Sequence, residues 1–315
     1  MILSIDYRTD IPAFYSEWIM NRFREGFLMF RNPTAKNVVH KVILDKEHIE
    51  GIIWCSKNYA LLLPQLSEIT DKFPSVFQYT ITGYGTDIEP NVPDILQTID
   101  TFEKMSDMYG KDYIVWRYDP ICYFNHNGNL DDNFKYHIDS FTKLCSELSG
   151  YTERVIINFV SMYEKVKKNC GELLIEIPYE HKAAIVHEFV NIAKYYGMII
   201  QTCGNGLQFK DLDGVEVTGC IDEHALNIMG IYPKKNNKPK QWGCLCYPNT
   251  SVGSYNTCMH KCKYCYASAD FDVCQHNYEM HNPKSPLLIG QLFPDDIVKE
   301  MAVKPINTLQ SKQLF

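Results

Sequence analysis

Short apolar runs alternate with helical patterns along most of this chain, and that alternation limits the fold more than any other feature. The run Ile2-Leu-Ser-Ile5 reads as a buried strand, and Pro12 then opens a segment with Phe14, Trp18, Ile19 and Phe23 at helical spacing, with Gly26 beyond its end. The unit recurs. Gly51 to Cys55 precedes a helix through Leu61 and Leu66; Val76 to Ile81 precedes a helix from about Val92 to Met108; Tyr113 to Trp116 precedes one around Phe134 to Leu148. Arg154 to Phe159 is followed by helical patterns at Met162 to Lys168 and His181 to Tyr196, and Met198 to Gln201 is the sixth strand. Phe27 to Phe30 and Val38 to Leu44 flank an Asn32-Pro33 turn as a hairpin insertion, and Cys220 to Gly230 is a short helix with a glycine stop. Such alternation requires a parallel sheet, and six units predict an α/β fold, an incomplete TIM-like (β/α)6 barrel over 1–232 with a cysteine-rich tail over 233–315 packed on it. No Gly-x-Gly-x-x-Gly follows the first strand, which counts against a dinucleotide fold. A chain of 315 residues, 45% hydrophobic, buries about three-quarters of its unfolded surface and needs no disulfides.

In a parallel barrel the residues that end the strands converge on one face, where active sites are built. Arg8, Asp10, Lys57, Thr82, Arg117, Asp119 and Cys203 are therefore expected on one rim. Three cations at one mouth repel unless anions neutralise them; Asp10 and Asp119 supply part of that, and a carboxylate or phosphate ligand the rest. This makes Arg8, Asp10, Lys57, Arg117 and Asp119 the candidate catalytic residues, against the alternative that they are salt bridges bracing the rim. Tyr84 and Tyr118 read as packing.

Twelve cysteines in a reducing compartment read as metal ligands and core thiols rather than as disulfides. Five of them crowd between Cys244 and Cys265, as C-x-C and then C-x3-C-x2-C. Thiolates this close share a metal, and soft sulfur selects zinc, copper(I) or iron–sulfur clusters. Cys258, Cys262 and Cys265, with Tyr264 directly before the third, follow the pattern by which radical-SAM enzymes hold a [4Fe–4S] cluster with one iron left open; a zinc site is the alternative. Cys203, Cys220, Cys244 and Cys246 form a second candidate set, completing either a [4Fe–4S] cluster or an all-cysteine zinc site that staples the tail to the barrel. Cys55, Cys122, Cys145 and Cys170 read as inert core thiols, Cys274 as a spare ligand without a partner at metal spacing, and His260, adjacent to the triplet, as a solvent-exposed loop histidine, with a cofactor contact as the other reading.

The order Arg8-Thr-Asp-Ile-Pro-Ala13, Trp54-x-x-Lys57-Asn58, Tyr79-Thr-Ile-Thr-Gly-Tyr84, Trp116-Arg-Tyr-Asp-Pro120 and Thr257-Cys-x-His-x-Cys-x-Tyr-Cys-Tyr-Ala267 resembles the domain-of-unknown-function family DUF1848 along nearly the whole chain. The resemblance implies a C-terminal cysteine cluster similar to that of radical-SAM domains, and Lys261 stands where a glycine is expected before Cys262. The expected function is a radical-SAM-like iron–sulfur enzyme. S-adenosylmethionine on the open iron would give a 5′-deoxyadenosyl radical that acts on an anionic small molecule, with an external electron donor. Tyr264, Thr82, Gly83 and Gly85 are the candidate cofactor contacts, although no Gly-Gly-Glu segment accompanies them. The alternatives are a metal-stapled binding or electron-transfer protein and a nucleic-acid repair or modification enzyme.

The net charge of −7 argues against indiscriminate phosphate-backbone binding. The basic run Lys234, Lys235, Lys238 and Lys240 reads as a solvated linker, with a nucleic-acid groove as the other reading. No segment has the length of a membrane span, and the start Met-Ile-Leu-Ser-Ile-Asp-Tyr-Arg lacks a basic region before an apolar run, so the expected compartment is the cytoplasm.

Overall fold

The fold was taken from a computed structural model, which describes residues 1–302 and 305–306 apart from Asp6, Lys36, 234–242 and Ala269. The expected basic linker of lysines falls within 234–242, outside the described residues. Eight strands form one parallel sheet: β1 (Ile2–Ile5), β2 (Gly51–Ser56), β3 (Ser75–Thr80), β4 (Ile114–Ile121), β5 (Arg154–Phe159), β6 (Ile199–Thr202), β7 (Val215–Val217) and β8 (Thr250–Val252). Their order across the sheet is β7-β6-β5-β4-β3-β2-β1-β8, which is chain order except that the last strand joins beside the first. The edges β7 and β8 do not pair with each other, so among the described residues the sheet is open and no barrel closes.

The sequence explains the layering. Strands β1 and β3 are buried along their whole length, as parallel strands covered on both faces must be. Alternate residues point to opposite faces. Leu3, Trp54, Phe77, Trp116 and Val155 pack on one face with the helices α1 (Ser16–Glu25), α2 (Ile95–Tyr109), α3 (Leu130–Leu148) and α4 (Tyr179–Tyr195), and form the main core. Ile2, Ile53, Val76, Val115 and Ile156 point the other way, into a second cluster with the short helix α5 (Glu223–Ile228), Met229 and Ile231. Two residues further along these strands the same face turns polar, with Ser4, Cys55, Gln78, Arg117 and Asn158. Helix α5 therefore covers the apolar half of this face, and the polar half is left for the cysteine segments.

Most of the expected elements are present, including the hairpin, whose strands Phe27–Arg31 and Val38–Ile43 pair antiparallel. The helix expected through Leu61 and Leu66 is instead a 3-10 turn, Leu63–Gln65, and a single turn, Ser67–Thr70. Pro64 lacks the N–H that a continuous helix would need there. Strands β7 and β8 were not anticipated, because three residues carry no readable periodicity. No helix among the described residues is long and apolar enough to cross a membrane.

Candidate metal and active centre

At the carboxyl ends of the strands the chain builds two cysteine centres joined by a run of buried charge. Cys203 follows β6, Cys220 follows β7, and Cys246 lies in the segment that leads to β8. Their sulfurs all lie within 4.8 Å of one another, with Cys220 Sγ and Cys246 Sγ 3.3 Å apart. Cys244 lies near enough to act on the Cys246 thiol but stands outside this close group of three. The backbone forces this approach, since Tyr247 N–H donates to Ile221 O at 2.8 Å and lays 245–247 along 219–221. Gly219 has φ +116°, and a Cβ there would stand 2.7 Å from the Cys246 nitrogen, so only glycine fits the crossing. Of the four cysteines expected to meet although distant in sequence, Cys203, Cys220 and Cys246 do so, and Cys244 does not close to the same spacing.

Arg117 faces this set from β4. Its guanidinium donates to Gln78 Oε1 at 2.6 Å and to Asp119, while Gln78 Nε2 donates to the Cys220 carbonyl. Hydrogen bonds from the Cys220 and Cys246 thiols hold the Cys203 thiol well below its ordinary range; burial opposes this and the Arg117 charge adds to it. The hydrogen bond to Cys203, with burial, pushes Cys220 up to about 11, and the one from Cys246 opposes it.

The triplet Cys258, Cys262 and Cys265 lies over β1 and β2. Tyr15 Oη donates to Thr257 O at 2.6 Å, Asn91 Nδ2 to Met259 O at 2.6 Å, and Lys263 N–H to Ile88 O at 3.0 Å, so the loop is tied to α1's entry and to the segment after β3. Lys261 sits at φ +56°, the left-handed region in which the expected glycine would be at ease. Among the described residues the triplet is not gathered to single-ion spacing. Its members nevertheless act on one another: burial pushes the Cys262 thiol well up, Glu89 adds to this, and Cys258 and Cys265 contribute. The Cys258 thiol is likewise pushed up by burial and by Asp10, although backbone N–H groups of His260 and Asp10 hydrogen-bond it.

Asp10 and Lys57, two of the expected rim residues, stand beside this triplet. Asp10 accepts four hydrogen bonds, from Ser56 Oγ, Ala13 N, Lys57 N and His260 Nε2, at 2.6, 3.0, 2.8 and 2.8 Å. His260 is 2% exposed, not on the surface as expected. Its ring bridges Asp10 Oδ2 and, at 3.2 Å, the Asn91 carbonyl. Lys57 Nζ donates to Glu89 Oε1 at 2.8 Å and to Thr82 Oγ1 at 3.3 Å, and Thr82 and Tyr264 also donate to Glu89 Oε1. Burial alone would lower the Lys57 ammonium, but Glu89 and Cys262 hold it above its ordinary range. Burial would raise Glu89, and Lys57 with the three hydrogen bonds holds it below. Asp119 lies between the centres, with its charge acting on both Lys57 and Cys203.

Arg8 stands apart. Its guanidinium lies over the rings of Tyr7, Phe30 and Tyr255 at 6.0, 5.7 and 5.8 Å, and among the described residues no contact joins it to Lys57 or Arg117. Thr82, Gly83 and Gly85, with Glu89 and the Asp94 cap of α2, line a cavity of about 260 Å³. Glu89 was not singled out in the sequence. The signal for it is indirect: a lysine at a buried strand end needs a carboxylate, and the loop after β3 carries Asp87 and Glu89.

Fold and site define an α/β protein with a large parallel sheet and a cysteine set able to hold a metal ion. The chain belongs to the family described as Domain of unknown function (DUF1848), whose model matches residues 2–267. The resemblance read from the sequence is thereby confirmed. No curated protein matches the chain. Seven chains of solved structure match it. One, from Bacteroides thetaiotaomicron VPI-5482 and described as a candidate alpha-L-fucosidase, shares 13% identity over 73% of this chain and 84% of its own, with a TM-score of 0.25 that is too low to bear on the fold.

Proposed function

We propose that the protein is a cytoplasmic, radical-SAM-like iron–sulfur enzyme whose Cys258, Cys262 and Cys265 hold a [4Fe–4S] cluster at the mouth of an incomplete barrel. The observation that supports it best is the triplet, with Cys262 buried beside Lys57 and Glu89, next to the cavity lined by Thr82, Gly83 and Gly85. A cluster binds each cysteine at a separate iron, so its sulfurs stand farther apart than around one ion. That fits three thiols that influence one another without closing to single-ion spacing. His260 is committed to Asp10 and the Asn91 carbonyl, which leaves it unavailable as a fourth ligand.

When bound, the open iron supplies reductive cleavage of S-adenosylmethionine, with electrons from an external donor. This chain's residues would do the rest. Asp10 fixes the cysteine loop through His260, Lys57 and Glu89 set the charge beside Cys262, and the Thr82–Gly85 turn receives the cofactor. Chain-order strands, and helices gathered on one face with α5 on the other, support the barrel reading.

Anaerobic reconstitution with iron and sulfide tests the reading. Added S-adenosylmethionine is expected to perturb the electron paramagnetic resonance of the reduced cluster, and dithionite to yield 5′-deoxyadenosine. Alanine at any one of the three cysteines should abolish both. A spectrum indifferent to the cofactor overturns the enzyme reading and favours a structural or electron-transfer role.

A further inference from the structure

The second cysteine set carries an inference independent of radical chemistry. We infer that Cys203, Cys220, Cys244 and Cys246 hold one tetrahedral, thiophilic divalent ion rather than a second iron–sulfur cluster, with Arg117 as the charge that offsets it. The argument is one of spacing. Around a single zinc-type ion, bonds of about 2.3 Å at tetrahedral angles set sulfurs about 3.8 Å apart. A cubane distributes its cysteines over different irons and needs a wider set. The 3.3 Å between Cys220 and Cys246, and the closure of three sulfurs within 4.8 Å, match the single ion.

The surroundings match as well. Gly204 follows Cys203 with φ +61° and Gly243 precedes Cys244 with φ +75°, so each pair of ligand segments turns tightly beside its thiol. A Cβ on Gly243 would lie 3.6 Å from the Gly204 carbonyl, which places the two turns against each other; Cys244, directly after Gly243, is the proposed fourth ligand beside the three sulfurs that already close. With Gly219 pressed on the Cys246 backbone, the ligand segments approach as closely as backbones can. Four thiolates around a divalent ion leave two negative charges. Arg117 supplies a positive charge beside Cys203 and Cys220, and Gln78 links it to the Cys220 carbonyl. Partners of this kind around metal thiolates orient the ligands and tune affinity.

The ligand segments come from the ends of β6 and β7 and from the approach to β8. One ion therefore ties one edge of the sheet to the strand that completes the other.

The test uses the full chain with Cys258, Cys262 and Cys265 all replaced by serine, so that failure of the radical-SAM reading cannot affect it. Metal and acid-labile sulfide are counted after purification without added metal. One zinc or one iron per chain, without sulfide, is expected; zinc identifies a structural site and lone iron a redox-capable one, and both sustain the single ion. Cobalt(II) added to the metal-free chain should give the intense visible bands of four-coordinate cobalt with sulfur charge transfer. Adding Cys246→Ser should remove the bound ion. If that variant does not fold, thiol titration of the parent with an organomercurial, expected to release one ion per chain, replaces it. Iron with an equal count of sulfide, or four freely alkylated thiols and no retained metal, overturns the inference.

Discussion

Replacing Glu89 isolates a buried ammonium, and the size of the effect can be worked from the contacts. The Lys57 and Glu89 side chains are 12% and 4% exposed, and their charged atoms stand 2.8 Å apart. Breaking one partner of such a pair costs about 3–5 kcal/mol, whereas replacing both with apolar groups is often near neutral. Glu89→Gln keeps an oxygen for the Tyr264 and Thr82 hydroxyls and removes only the charge, so it belongs at the lower end. Glu89→Leu removes the acceptor as well and belongs at the upper end. For a chain of this size about 2 °C of melting temperature accompanies each kcal/mol, giving losses of roughly 6 and 10 °C. The double variant Lys57→Met/Glu89→Leu should return to within about 2 °C of the parent. The linkage has a definite sign. Glu89 is held below its unfolded value and Lys57 above, so the pair's stabilisation is present between about pH 4.3 and 10.4. It is lost as pH falls through the folded Glu89 value or rises through the folded Lys57 value. Scanning calorimetry at pH 7 on the parent, Lys57→Met, Glu89→Leu and the double variant completes the cycle, with Glu89→Gln measured beside them. Single variants that melt with the parent, or a double variant that loses the sum of both, would refute the reasoning.

His137 accepts from Tyr118 Oη at 2.9 Å and donates from Nε2 to Cys122 O at 2.8 Å, and burial pushes it down to about 4. The unfolded chain takes up this proton near pH 6.5 and the folded one does not, so about 3 kcal/mol of stability should drain away between pH 6.5 and 4; nitrogen NMR should show a neutral ring with the proton on Nε2 at pH 6. Arg117→Lys keeps the charge but not the fork that spans Gln78 and Asp119, and should weaken metal retention at the Cys203 set by about 10-fold in competition with a chelator, the lower end for partners of this kind. Gly219→Ala should cost the same set its ion while leaving the triplet's iron count unchanged, as read by metal analysis.

Asp10 and Lys57 were legible because strand ends in a parallel sheet face one way. Cys203, Cys220 and Cys246 were legible from chemistry: soft ligands in a chain that needs no disulfides must go somewhere together. Glu89 and His260 were not. Both lie in loops, where no periodicity reports burial, and each becomes important only through a partner far along the chain, Lys57 and Asp10. Strand β8 escaped for a related reason: a three-residue segment is a strand only because β1 offers an edge for it.

That edge has a consequence for synthesis. Leu3, Ser4 and Ile5 pair with Thr250, Ser251 and Val252, so one flank of the earliest strand finds its neighbour only after some 250 residues have been made. At about 5–20 residues per second, the ribosome leaves that flank open for roughly 12–50 s. During this time the nascent chain carries a strand apolar at three of its four residues with unpaired backbone groups along one flank, the kind of edge that recruits other chains. A ribosome that stalls before Thr250 would release a chain with most of its sheet assembled and its most adhesive border uncovered.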